Sequence, residues 1–131
     1  MKTILVDAVW CFIIKEEEGF KIFDEMRSLL DSFENPKIIL TGANDEQIKM
    51  FNLQNMPYPL FTLKHNPEKT NPEYYKILLG KFNLTAEDVI YFEHDINAVK
   101  SAESMGIKSY YYDQDRKDLE ALEDFLIKNT K

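Results

Sequence analysis

Ile4, Leu5 and Val6 form an unbroken apolar run that stops at Asp7. A run with no polar alternation is expected to be buried on both faces, as in a central strand of a parallel sheet. Comparable runs recur at Ile38-Ile39-Leu40 before Thr41-Gly42, at Val89-Ile90-Tyr91-Phe92 before Glu93, and from Ile107 to Tyr112. Pro59 to Leu63 is a weaker run, and the neighbouring Pro57 and Pro59 suit a sheet edge. Parallel neighbours require crossovers, and the intervening segments supply helices. Met26, Leu29, Leu30 and Phe33 recur at helical spacing between an Asp24 cap and Asn35-Pro36. Further helices are expected from Asp45 to about residue 55, from Asn71-Pro72 through Phe82, from about Ile96 to Met105 before Gly106, and from Lys117 to Lys128. Thr85 to Asp88 has capping-box form. Residues 12 to 15 and 20 to 23 flank Glu16-Glu17-Glu18-Gly19 and read as a small hairpin. Strands alternating with helices predict an α/β three-layer sandwich around a Rossmann-like parallel sheet.

The length of 131 residues allows a single domain over 1–131, with 44% hydrophobic residues to build its core. Cys11 is the only cysteine and has no partner for an internal disulfide. Sixteen basic against 23 acidic residues give a net charge of −7, which disfavours nucleic acid and anionic membranes as partners. The apolar run at residues 4–6 is too short for a signal peptide, so the cytoplasm is the expected compartment.

Open parallel sheets bind ligands beyond the carboxyl ends of their strands. That rule selects Asp7, Thr41, Gly42, Glu93, His94 and Asp95. Helices starting near Asn44, Asn71 and Asp95 would aim amide groups at the same crevice, favouring an anionic ligand such as phosphate. A carboxylate among such donors suits phosphoryl or acyl-type chemistry with Asp7 as nucleophile.

Four ordered segments then resemble one family: Ile4 to Asp7, Ile38 to Gly42, Lys69-Thr70-Asn71-Pro72-Glu73-Tyr74-Tyr75, and Val89 to Asp95 with Val99, Ala102 and Gly106. The pattern is similar to that of the haloacid dehalogenase superfamily. The resemblance implies strand order 5-4-1-2-3, a flap hairpin over residues 12–23, and no room for a large cap between Asp7 and Thr41. It also implies catalytic roles for Asp7 as nucleophile, Thr41 as the phosphoryl-holding hydroxyl and Lys69 as the balancing cation. Magnesium would be held weakly by Asp7, Glu93 and Asp95.

The departures are specific. Family phosphatases carry an acid two residues after the nucleophile, where this chain has Val9. Valine moves no proton, and such help is typically worth about 10² to 10⁴ in rate. The expected metal acid falls at His94, which reads as an ordinary exposed loop histidine or, in the alternative, as a nitrogen donor for a softer transition metal, and the further acid falls at Ala98. These features imply a phosphohydrolase-type domain of weak or lost activity acting on a small phosphorylated molecule. The alternatives are a non-catalytic module that binds a ligand or a protein partner, and a metal-independent dehalogenase, since Asp7-Ala8-Val9-Trp10 resembles that branch.

Overall fold

In the computed structural model, which describes residues 1–131, the chain runs β1 (Thr3–Asp7), β2 (Ile13–Glu16), β3 (Gly19–Ile22), α1 (Asp24–Asp31), β4 (Lys37–Thr41), α2 (Asp45–Met50), β5 (Leu60–Thr62) and α3 (Pro72–Lys81). After a short 3₁₀ turn over Ala86–Asp88 come β6 (Val89–Glu93), α4 (Ile96–Ser104), β7 (Lys108–Tyr111) and α5 (Leu119–Asn129). Five strands make one parallel sheet in the order β5-β4-β1-β6-β7, while β2 and β3 pair antiparallel as a separate hairpin. Counting only the sheet strands along the chain and reading from the β7 edge, this is 5-4-1-2-3.

The side-chain alternation of β1 divides the core. Ile4 and Val6 join Met26 and Leu30 of α1, Leu122 and Leu126 of α5, and Phe12 of the hairpin segment on one face. Leu5 joins Tyr74, Tyr75 and Leu78 of α3 and Ala102 of α4 on the other. All three β1 residues are fully buried, so the unbroken apolar run has its physical reason: both faces are covered. Each large side chain removed from water contributes about 1.5–3 kcal/mol.

Register fixes where the strands end. Asp7 lies opposite Leu40, one residue short of Thr41, and Val6 lies opposite Phe92, one residue short of Glu93. The carboxyl ends of the three middle strands therefore deliver Asp7, Thr41 and Glu93 to one edge.

Several local expectations need correction. Asp24 is the first helical residue of α1 and not its cap; Phe23 holds that position, its side chain has no acceptor to offer, and its amide donates to the Phe12 carbonyl at 2.8 Å. Helix α2 stops at Met50, well before residue 55, since Asn52 turns left-handed at φ 55° and ends the run. Strand β7 is shorter at both ends than 107–112. Tyr110 packs on Phe125 and Tyr112 is buried, while Tyr111 between them is exposed, as an edge strand permits.

Candidate active site

Immediately after β1 the backbone turns back on itself. The amides of Cys11, Phe12 and Ile13 all donate to the Ala8 carbonyl, at 3.2, 2.9 and 3.0 Å, and Trp10 takes a left-handed φ of 76° to allow it. The reversal returns the Cys11 thiol to Asp7, with Sγ 3.2 Å from Oδ2. From β4, Thr41 presents a hydroxyl whose oxygen accepts from the Ala43 amide at 3.2 Å, leaving its own O–H to donate. Gly42 follows without a side chain, and a Cβ there would stand 3.4 Å from Glu68 and 3.5 Å from His65. Lys69 precedes α3, which Asn71 caps by accepting from the Glu73 amide at 3.0 Å. Past β6, Asp95 caps α4 by accepting from the Asn97 amide at 2.9 Å.

These elements converge on Asp7, whose side chain is only 1% exposed. Lys69 Nζ donates to Asp7 Oδ1 at 2.6 Å and to Glu93 Oε1 at 2.7 Å, so one ammonium bridges two carboxylates. The other Asp7 oxygen accepts from the His94 amide at 3.2 Å and makes a short contact with His94 Nδ1. Glu93 is likewise committed: Tyr91 donates its hydroxyl to Oε1, and Oε2 accepts from the Asp95 amide at 3.1 Å.

Charge explains the ionisation of the cluster. Burial alone would raise the Asp7 pKa, but Lys69 and the His94 bond outweigh it and hold the carboxylate well below its usual range. Burial alone would lower Lys69, yet Asp7 and Glu93 keep its pKa well above normal. Glu93 is raised by burial and by the like charge of Asp7, against the pull of Lys69. His94 loses by burial and gains more from its bonds to Asp7 and Glu93, ending at about 10. Burial, with Asp7 and Glu93 nearby, pushes the Cys11 thiol up. Two cations thus face two acids in a largely dry space.

A crevice of about 280 Å³ opens above the cluster, lined in part by Asp7, Val9, Thr41, Lys69, His94 and Asp95. Every residue selected from the sequence except Glu93 reaches it; Glu93 is fully buried beneath. Val9 lines the wall with no titratable atom, and Ala98 is buried in the core. Trp10 stands on the rim, 37% exposed and edge-on to Phe20 with ring centres 5.6 Å apart. Sequence reasoning did not anticipate three features: the Cys11 thiol against Asp7, His94 bonded directly to Asp7, and a rim where His65 Nδ1 lies 2.8 Å from Glu68 and Nε2 meets Gln47. Sequence proximity placed Cys11 beside the crevice, but its contact with Asp7 depends on a left-handed Trp10, a residue type that does not announce such a turn.

Solved structures share this arrangement of elements. A haloacid dehalogenase-family enzyme from Bacteroides thetaiotaomicron, an Asp-to-Ala mutant in complex with magnesium and inorganic phosphate, superposes with a TM-score of 0.68 at 12% identity, covering 85% of this chain and 93% of that one. The chain has the haloacid dehalogenase fold. An uncharacterised protein from Corynebacterium glutamicum matches over 93% of both chains, with a TM-score of 0.64 and 16% identity. The core domain of a Streptococcus pneumoniae protein provisionally assigned as a phosphoglycolate phosphatase matches with a TM-score of 0.56 and 19% identity, over 82% of this chain and 77% of that one. No protein-family model matches the sequence, and no curated protein does. No helix is long and apolar enough to cross a membrane.

Of the magnesium ligands implied by the resemblance, Asp7 and Asp95 reach the crevice and Glu93 does not. Magnesium keeps near-octahedral oxygen coordination. Here both Glu93 oxygens are bonded within the protein, Asp95 is engaged at its helix, and the atoms beside Asp7 Oδ2 are sulfur and nitrogen. This donor set does not fit magnesium.

Proposed function

We propose that this domain binds a small phosphorylated molecule in the crevice above Asp7, Thr41 and Lys69 and turns it over slowly or not at all. The observation that carries the reading is the state of Asp7: Oδ1 accepts from Lys69 and Oδ2 from His94 and Cys11, and with its pKa held low the carboxylate is a weakened nucleophile. Val9 adds to this, because it provides no proton for a leaving oxygen. The holding groups remain. The Thr41 hydroxyl and the Lys69 and His94 cations favour phosphoryl oxygens, and the starts of α3 and α4 lie beside the crevice. The phosphatase-type neighbours of the same fold support a phosphate-bearing ligand.

A panel of phosphomonoesters tests both halves. Ligand-induced amide shifts or calorimetric binding should be measurable, while turnover should not rise above that of the Asp7→Asn protein. Asp7-dependent turnover near the usual enzymatic range of about 1–10³ s⁻¹ would make the domain an ordinary phosphatase. Absence of binding across the panel would favour a protein partner, and halide release from 2-halo acids would favour the dehalogenase.

A further inference from the structure

We infer that Asp7, Cys11 and His94 form a site for one thiophilic divalent metal of the zinc class. The inference is independent of phosphoester binding. Its basis is a donor set: a carboxylate oxygen, a thiol sulfur and an imidazole nitrogen all lie within 4.8 Å of one another. Two of the three are deeply buried on a fixed backbone turn, and the third comes from the loop after β6 with its side chain 23% exposed.

The geometry asks for little movement. Zinc bonds sulfur at about 2.3 Å and nitrogen or oxygen at about 2.0–2.2 Å, so tetrahedral ligands sit roughly 3.3–3.7 Å apart. Cys11 Sγ is 3.2 Å from Asp7 Oδ2 already, and His94 Nδ1 must withdraw from that oxygen by about an ångström, which its partly exposed ring can do. Three protein ligands leave a fourth position, and His94 faces the crevice from which a water or a ligand oxygen would fill it.

The chemistry is that of a soft or borderline ion. Thiolate and imidazole select zinc and its neighbours over magnesium and calcium. Charge balances as well. Binding one divalent ion with loss of one proton from the Cys11 thiol and one from His94 leaves the net charge of the cluster unchanged. The surroundings supply the outer shell, since Lys69 already holds the second Asp7 oxygen at 2.6 Å.

Cobalt(II) provides the probe. Titrating the metal-free 131-residue protein should give one equivalent of binding, a near-ultraviolet thiolate-to-cobalt band and the intense visible bands of four-coordinate cobalt. Excess magnesium should leave them in place. Cys11→Ser should lose the near-ultraviolet band. Because Cys11 is fully buried and its substitution also perturbs the core, His94→Gln supplies a second arm: it should keep the band while binding cobalt about 10- to 100-fold more weakly, the range that even outer-shell changes produce. A wild-type titration without the thiolate band, displacement by magnesium, or unaltered cobalt affinity in His94→Gln would overturn the inference.

Discussion

At the scale of the residue, the decisive fact is that both Asp7 oxygens accept hydrogen bonds from charged or polar neighbours. Those neighbours are ones the sequence could suggest only in part: Lys69 was readable as a counter-charge, whereas the sulfur of Cys11 depends on a left-handed Trp10 that no local pattern announces. His94 links this cluster to pH. Its pKa rises from 6.5 to about 10 on folding, chiefly through Asp7 and Glu93 acting against burial. A group raised on folding contributes fully below its unfolded pKa and loses that contribution as pH climbs through the folded value. The metal-free protein should therefore lose stability progressively from about pH 6.5 to about 10. The raised Cys11 thiol acts in the same direction at the alkaline end. Chemical denaturation across that range, with and without His94→Gln, isolates the histidine: the variant should show the flatter profile, and parallel profiles would remove His94 from the account.

At the scale of the element, helix ends set the geometry of the site. Asn71 caps α3 with Pro72 in its first turn, and Lys69 lies just ahead of that cap. Asn71→Ala should cost about 0.5–2 kcal/mol, read as a lower denaturant midpoint with an unchanged slope; a loss well above that range would mean that Asn71 also holds the Lys69 segment in place. The sequence reported some of these ends well. Pro72 at a start and Gly106 at a stop behave as expected, and the Thr85–Asp88 capping box is present. Other ends were read too long or misplaced. Asn52 and Asn83 both take left-handed φ values, 55° and 54°, directly after α2 and α3, a conformation asparagine adopts more easily than most residues but does not advertise. Asp24 looked like a cap because of its residue type, yet β3 runs so directly into α1 that Phe23 occupies the position.

At the scale of the whole molecule, one sheet joins two separate apolar layers. Leu30 lies in the layer under α1 and α5, Leu78 in the layer under α3 and α4, and both are fully buried. Leu30→Ala and Leu78→Ala should each cost about 2–5 kcal/mol, and each should shift a single cooperative transition seen identically by fluorescence and circular dichroism. Two separated transitions would mean that the layers unfold independently. The sequence by itself determined the α/β alternation, the hairpin and the strand ends carrying Asp7, Thr41 and Glu93, because two-sided burial and a polar stop leave their mark on consecutive residues. Only the tertiary structure decided that Lys69 bridges two acids, that Glu93 sits beneath the crevice, and that a thiol and an imidazole close on the same oxygen. Those relations join residues as many as 87 positions apart, and their strength depends on the exclusion of water, which spacing along a chain does not record.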